Sequence, residues 1–236
     1  MSRVVVETLI TRQLHQYNRL KTLLRQEPGS KQPSLGPVVT ISRMAGCCAR
    51  DLATELAERL EVQVWGRELV DLIASDRGLR REVVAQLDES MISNVDAWVR
   101  GMLGRRLFLR DDYAVALART IKTLAETGGA VIVGRGAGFV LGNRANLRIR
   151  LVAGDRHRMK IIQQHKHLNQ AEARERMNRT DANRATFVRS YFQAGVDDPR
   201  HYDLVANTER MSHDVLIPLC LDLVKSNLAQ AATAEA

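Results

Sequence analysis

Hydrophobic residues follow two spacings along the chain, and each spacing predicts a different element. Short apolar runs predict β-strands at 38–42, 62–65, 130–133, 147–152 and 204–206. Apolar groups three or four positions apart predict helices at 52–60, 67–75, 81–101, 112–126 and 212–228. The run 130–133 is apolar throughout and ends at Gly134, which is typical of a parallel strand buried on both faces. Strands that alternate with helices predict an α/β domain with a mostly parallel sheet.

The first 37 residues are set apart from this alternation. Apolar groups between residues 4 and 26 lie on one helical stripe, so we expect a helix over residues 1–27. Residues 28–37 are rich in Pro, Gly and Ser and are interpreted as a linker to the main domain, 38–228. The helix either packs on that domain or pairs with a second copy to make a homodimer. The alanine-rich residues 229–236 are expected to be a disordered tail.

The composition limits the class of protein. The chain of 236 residues is long enough for one α/β domain, and its 45% hydrophobic residues are ordinary for a globular protein. No apolar run approaches the ~20 residues of a membrane span, and the N-terminus lacks the pattern of a secretory signal. Cys47 and Cys48 are adjacent and Cys220 is distant, which suits neither a disulfide framework nor a zinc site. We therefore expect a cytoplasmic protein with no membrane partner.

The net charge of +8 predicts a polyanionic partner. Half of that charge lies in residues 155–184, a helical segment with eight Lys or Arg against four acidic residues. Aromatic residues are absent from this segment, and they provide the stacking surfaces on which nucleic-acid bases bind. The pattern favours nucleotide phosphates over nucleic acid as the partner.

The strand at 38–42 leads through a tight turn into the helix at 52–60, which is the context of a phosphate-binding loop. A Walker A loop contains two glycines and a lysine, whereas this turn has only Gly46 and no lysine. A helix that begins near Arg50 still presents free N–H groups and a positive dipole end to an anion. The alternative is a purely structural turn. The candidate nucleotide-binding residues of this segment are Ser42, Arg43, Gly46, Cys47, Cys48, Ala49, Arg50 and Asp51.

A second candidate site follows the strand 130–133. Gly134 and Gly136 allow close backbone approach on either side of Arg135, whose planar guanidinium suits two-pronged binding of a phosphate. A surface arginine in a tight turn is the alternative interpretation. Because ligands bind at the carboxyl ends of parallel strands, we expect this turn and the first loop to lie close together.

The order and spacing of several motifs resemble the cytidylate kinase-like family of P-loop nucleoside monophosphate kinases. The resemblance covers roughly residues 38–226 and depends on the following segments: Val39-Thr40-Ile41-Ser42-Arg43; Arg50-Asp51-Leu52-Ala53; Val131-Ile132-Val133-Gly134-Arg135-Gly136-Ala137; and Asp198-Pro199 with Tyr202-Asp203-Leu204-Val205-Ala206-Asn207-Thr208. It implies a three-layer P-loop domain with a helical lid. It also implies transfer of the ATP γ-phosphoryl to a CMP-type or dCMP-type acceptor, with ATP and Mg²⁺ as cofactors.

The resemblance also assigns roles to charged residues. The loop 42–49 would hold the donor phosphates, with Arg50 the nearest cation and Asp51 a ligand of Mg²⁺. Arg67 and Arg135 would face the acceptor monophosphate. The lid would contribute Arg156, Arg158, Arg179, Asp181 and Arg184, of which Arg179 and Arg184 join Arg50 and Arg135 as catalytic candidates. Without the resemblance, the lid charges are interpreted as a solvated helix face.

The loop departs from the family pattern at two positions. Family members usually carry glycines where this chain has Cys48 and Ala49, so any positive φ that the loop requires there would cost on the order of 1 kcal/mol per site. The alternative function is therefore a catalytically weak or inactive nucleotide-binding, regulatory or dimerising module. Cys47 and Cys48 lie at a helix N-terminus beside Arg50, where the pKa of a thiol is lowered, so one hypothesis is that their oxidation blocks the loop. The alternative interpretation is that the two cysteines are small residues that fill a turn.

Overall fold

Five strands form one parallel sheet in the computed structural model, which describes residues 36–67, 112–126 and 129–234. The strands are β1 (Val38–Arg43), β2 (Gln63–Trp65), β3 (Ala130–Val133), β4 (Leu147–Val152) and β5 (Leu204–Asn207), in the spatial order β2-β3-β1-β4-β5. In the centre of the sheet, Ile41 of β1 is in register with Val133 of β3 and Ile149 of β4. The carboxyl ends of β1 and β3 therefore lie side by side.

Helices cover both faces of this sheet. They are α1 (Ala49–Leu60), α2 (Asp112–Glu126), α3 (Ala137–Leu141), α4 (Asp155–Lys166), α5 (Gln170–Phe192) and α6 (His213–Ala234), with short 3₁₀ helices at Gly142–Arg144 and Pro199–His201. Successive residues of β3 point to opposite faces of the sheet. Ile132 packs in the core that the sheet forms with α2, α3 and the end of α5, and Val131 packs in the core that it forms with α1 and α6. The predicted three-layer α/β fold is confirmed.

The basic segment forms a pair of helices against the loop between β1 and α1. Helix α5 begins with a capping box, in which the Asn169 side chain accepts from the Glu172 backbone and the Glu172 side chain accepts from the Asn169 backbone. Between α4 and α5, the buried side chains of Ile162 and Met177 pack with Ala45 of the loop. The loop is therefore held between the sheet and this helical pair.

Part of the predicted organisation lies outside the described residues, and one part of it differs from the structure. The N-terminal helix at 1–27, most of the linker and the helices at 67–75 and 81–101 fall largely or wholly outside the described residues. The prediction of a disordered tail from Ala229 is wrong as far as Ala234, because α6 continues to that residue. Alanine has the highest helix propensity, so an alanine-rich end extends a helix that is already packed. Among the described helices, none has the length and apolarity needed to cross a bilayer.

Helix α2 carries a lysine inside the core. The Lys122 side chain is 2% exposed and pairs with Glu126, whose carboxylate also lies 3.7 Å from Arg144. Burial, and then the charge of Arg144, lower the pKa of Lys122 to about 8. A buried cation costs free energy even when it is paired, so an apolar side chain of similar length should be tolerated at this position.

Glu126 is partly exposed and keeps Arg144 at 3.7 Å as a partner, so Lys122→Met leaves no buried unpaired carboxylate and should stabilise the protein by about 1 kcal/mol near neutral pH. The unfolded chain holds the lysine proton more tightly than the folded state, whose pKa is about 8 against an ordinary 10.5, so wild-type stability should rise with pH through that window. The advantage of the variant should then shrink as the pH is raised. Urea unfolding of both proteins near neutral pH and near pH ~10 measures this difference, and an unchanged gap would contradict it.

Candidate active site

The loop between β1 and α1 has the backbone shape of an anion-binding turn. Gly46 has a φ of +85°, and a Cβ at this position would lie 2.6 Å from the carbonyl oxygen of Arg158. Cys48 also has a positive φ, of 47°, although it carries a Cβ. Its side chain makes no capping hydrogen bond to α1. The N-terminus of α1 therefore presents its backbone N–H groups and positive dipole end to the space in front of the loop.

A cavity of about 490 Å³ lies in front of this loop. Arginine and lysine side chains dominate its charge, since Arg43, Arg50, Arg67, Lys166, Arg176 and Arg184 all line it. Asp51 is the single carboxylate among the described residues in this lining. No group of three or more metal-ligating His, Cys, Asp or Glu side chains occurs in the described part of the chain. One carboxylate suits Mg²⁺, which commonly takes one or two from the protein and its other ligands from water and phosphate.

A second cavity of about 350 Å³ lies beside the turn between β3 and α3. Gly134, Arg135 and Gly136 have consecutive positive φ values of 86°, 53° and 66°. A Cβ at Gly134 would overlap the Arg43 guanidinium, and one at Gly136 would overlap the Phe192 ring. The turn therefore requires glycine at both positions, and it exposes Arg135 to the cavity. The aromatic rings of Phe139, Phe187 and Tyr202 line the same space.

The two cavities share one wall. Five residues line both of them: Arg43, Arg67, Arg176, Thr180 and Arg184. The three from α5 are spaced four apart, so they lie on one face of that helix. The Arg184 guanidinium donates a hydrogen bond of 3.1 Å to the carbonyl oxygen of Arg43. Burial lowers the pKa of Arg184; Asp181 raises it, and the charges of Arg150 and Arg67 lower it further. Positive charge is therefore concentrated where the cavities meet.

A buried arginine supports this wall from inside the sheet. Arg150 is 5% exposed and donates to the Ser42 hydroxyl at 2.9 Å and to Asp197 at 2.5 Å. The Tyr202 hydroxyl donates to the carbonyl oxygen of Val196 at 2.6 Å and lies 3.4 Å from the same Ser42 oxygen. These contacts fix the hydroxyl of Ser42 at the edge of the second cavity.

The structure brings most of the predicted residues to the two cavities. The loop cavity contains Arg43, Gly46, Cys47, Cys48, Ala49, Arg50, Asp51, Arg67 and Arg184, and the second cavity contains Ser42, Arg43, Arg67, Gly134, Arg135 and Arg184. Sequence reasoning missed Arg176, Arg150 and Tyr202. The available signals were the helical spacing of Arg176 from Arg184 and the polar Arg150 within an apolar strand.

Four predicted residues line neither cavity. Arg156 is exposed on α4, and Arg179 is exposed and pairs with Glu175 at 3.5 Å. Helix α5 turns residues 176, 180 and 184 toward the cavities, so Arg179 points away from them. Arg158 is buried, and Asp181 accepts from the loop backbone, so both contact the loop and not the cavity. The lid roles of these four residues stay predictions, and Arg176 is the arginine of α5 that lines the cavities beside Arg184.

The cysteines do not have the electrostatics of reactive thiols. Cys47 is 2% exposed, and burial raises the pKa of its thiol despite a hydrogen bond with Thr208. Burial and then the neighbouring charge of Asp51 raise the pKa of Cys48. The expected lowering of the thiol pKa is wrong, because burial and the adjacent carboxylate act against the helix N-terminus.

Comparisons with known proteins agree with this architecture. Residues 38–210 match the sequence profile of the Cytidylate kinase-like family. No curated protein matches the chain. A crystal structure of an uncharacterized protein from Eubacterium ventriosum superposes with a TM-score of 0.62 at 19% identity, covering 80% of this chain and 99% of the other. Shikimate kinase from Bacteroides thetaiotaomicron gives a TM-score of 0.46 at 12% identity, covering 80% and 98%. The family match spans most of the chain and contains both cavity-forming turns, and the chain belongs to the cytidylate kinase-like family.

Proposed function

We propose that this protein is a nucleoside monophosphate kinase-like enzyme that transfers the ATP γ-phosphoryl to a CMP-type or dCMP-type acceptor. The observation that carries the proposal is the wall shared by the two cavities, which contains four arginines. Phosphoryl transfer needs two phosphate-bearing substrates end to end, with cations at the junction where charge develops. Two adjoining cavities with arginines between them meet that requirement.

The loop cavity is assigned to the donor. The N-terminus of α1 and the loop backbone favour the phosphates of ATP, and Arg50 adds a cation at the start of that helix. Asp51 is the residue that would hold Mg²⁺, together with phosphate oxygens. When bound, Mg²⁺ supplies charge neutralisation for the transferred phosphoryl group.

The second cavity is assigned to the acceptor. Arg135 lines it directly after β3, with its guanidinium 5.3 Å from the centroid of the Phe187 ring. A monophosphate fits the arginine end, and a planar base fits the rings of Phe139 and Phe187. The amide of Asn183, which also lines the cavity, can hydrogen-bond a base. The cytosine preference rests on the family match alone.

The reaction then follows from the placement of the two substrates. An oxygen of the acceptor monophosphate attacks the γ-phosphorus, and the bond between that phosphorus and the ADP oxygen breaks. Arg43, Arg176 and Arg184 lie where the transferred group passes between the cavities. Their guanidinium groups stabilise the charge that spreads over its oxygens, and the protein acts by positioning and electrostatics.

A second candidate function is a catalytically weak or inactive nucleotide-binding module with a regulatory or dimerising role. The conformation of Cys48 favours it: the residue has a φ of 47° at a position that lines the donor cavity. A left-handed conformation costs a residue with a Cβ roughly 1–2 kcal/mol, and the side chain occupies space beside the loop backbone. The strain lowers the stability of the loop, and the space taken by the side chain weakens phosphate binding relative to glycine.

Arg184→Met should separate these candidates in a coupled assay of ADP and nucleoside diphosphate formation. With ATP, Mg²⁺ and a panel of monophosphates, we expect turnover by the wild type and a loss of about 10²-fold in kcat/KM for the variant. Arg184 lines both cavities, so its loss removes charge stabilisation at the junction.

The matched control for that measurement is Arg174→Met, an exposed arginine on the same helix that lines neither cavity. It should retain wild-type kinetics. Absence of turnover by the wild type, together with no calorimetric signal for ATP, would reject the kinase proposal. ATP binding without turnover would favour the second candidate.

Arg135→Ala tests the assignment of the acceptor cavity. Arg135 lines that cavity and not the donor cavity, so the variant should lose CMP affinity by at least about tenfold while ATP affinity stays unchanged. Calorimetric titration with each nucleotide measures both effects, and thermal unfolding reports whether the fold is retained. Equal losses for both nucleotides, or none for CMP, would refute the assignment.

Cys48→Gly tests the role of the loop substitution. Glycine removes the Cβ that takes room beside the loop backbone in the donor cavity, so ATP affinity should rise by about threefold to tenfold. Stability should change by less than about 1 kcal/mol, because the greater freedom of glycine in the unfolded chain offsets the relief of strain. Cys48→Ala is the matched control, since it removes the thiol and keeps the Cβ. An equal gain in both variants would assign the effect to the thiol alone.

A further inference from the structure

Arg158 is a buried cation whose partners converge on the phosphate loop. The residue is 3% exposed and lies in the first turn of α4. One terminal nitrogen donates to the carbonyl oxygen of Ala45 at 3.2 Å and to Asp181 at 2.5 Å, and the other donates to Asp155 at 2.6 Å. A buried guanidinium is stable only when it is paired in this way, so these contacts hold its position closely.

Asp181 contacts the same loop residue from α5. One carboxylate oxygen accepts the backbone N–H of Ala45 at 2.8 Å, and the other accepts from Arg158. The backbone N–H and C=O of Ala45 are therefore both held by charged side chains, one from each helix of the pair. Charge-assisted hydrogen bonds of this kind are about twice as strong as neutral ones.

The next residue fixes the loop against α4. The Cα of Gly46 lies so close to Arg158 that a Cβ would meet the Arg158 backbone, which cannot move aside as a flexible side chain could. Neither Arg158 nor Asp181 lines the donor cavity, whereas Gly46, Cys47 and Cys48 do. Asp181 also lies 3.6 Å from Arg184, which lines that cavity, so its effect on a ligand can pass through the loop or through Arg184, and a readout of the loop itself is needed to separate the two.

We propose that Arg158 and Asp181 are positioning residues that hold the phosphate loop in its binding shape through the backbone of Ala45, without contacting the nucleotide. Residues 45–48 then keep their conformation only while the two charges are paired. The part of this inference that concerns nucleotide affinity rests on the proposed function. The part that concerns loop geometry does not.

Three cysteines provide a readout of loop geometry that needs no nucleotide. Cys47, in the loop, is 2% exposed, and Cys48 is half-buried at the donor cavity. Cys220 is fully buried on α6, in the same hydrophobic core as Cys47 but outside the loop. If the loop is released, Cys47 and Cys48 become accessible to alkylation. Cys220 reports any general loosening of the fold.

The experiment measures iodoacetamide alkylation of each cysteine by mass spectrometry in the full-length chain. We expect Arg158→Met and Asp181→Ala to speed the alkylation of Cys47 by about tenfold or more, with the rate at Cys220 unchanged. The double variant should react no faster than the faster single variant, since both changes break one unit. Arg158→Lys and Asp181→Asn, which keep part of each interaction, should give intermediate rates. Exposed Arg174→Met and Asp222→Ala are the matched controls and should leave all three rates unchanged.

A nucleotide titration completes the test. The affinity for ADP should fall by about tenfold in both single variants, equally with and without Mg²⁺. Unchanged alkylation of Cys47, or equal acceleration at Cys220, would overturn the positioning role. A loss of ADP affinity for Asp181→Ala only in the presence of Mg²⁺ would overturn it as well, because it would make Asp181 a metal ligand. If the wild type binds no nucleotide, the proposed function fails while the alkylation rates still decide whether the loop is held.

Discussion

The parallel pairing of β1 with β3 and β4 determines where the whole site lies. Because Ile41 is level with Val133 and Ile149, the chain leaves β1 and β3 at the same edge of the sheet. The connection after β1 forms the phosphate loop, and the connection after β3 forms the turn around Arg135. Two cavities result from two loops held at a fixed separation. Helix α5 passes this edge of the sheet, so one row of its side chains lines both cavities.

This arrangement concentrates positive charge at the junction of the cavities. Arg43, Arg67, Arg176 and Arg184 line both spaces, and the charge of Arg67 is among the influences that lower the pKa of Arg184. Two nearby carboxylates make structural contacts and do not line the cavities: Asp181 accepts from the loop backbone, and Asp197 pairs with Arg150. The cavities themselves keep an excess of cations. Anionic ligands offset that excess, which is the electrostatic reason why a pair of phosphate-bearing substrates fits the site.

The sequence predicts those parts of the site that follow from local patterns. Apolar runs located the strands, and the position of glycines after them located both turns, so Gly46 and Arg135 could be named in advance. The site residues on long helices could not be named from the sequence, because their role depends on which face of the helix packs against the site. Arg179 and Arg176 lie three positions apart on α5, yet only Arg176 lines the cavities. Likewise, Arg158 and Asp181 carry the right charges for a ligand site, and only the packing of α4 and α5 shows that they contact the loop backbone instead.

The unusual loop sequence is explained by what a Cβ would meet at each position. At Gly46 a side chain would collide with the backbone of Arg158, so this glycine is required by packing as well as by its φ of +85°. Cys48 lines the donor cavity, where its side chain takes room from a bound phosphate and its left-handed conformation carries local strain. Ala49 is the first residue of α1 and has no positive φ, so it carries no such strain. The chain therefore keeps glycine where the fold needs it and departs from the family pattern where the consequence falls on phosphate binding.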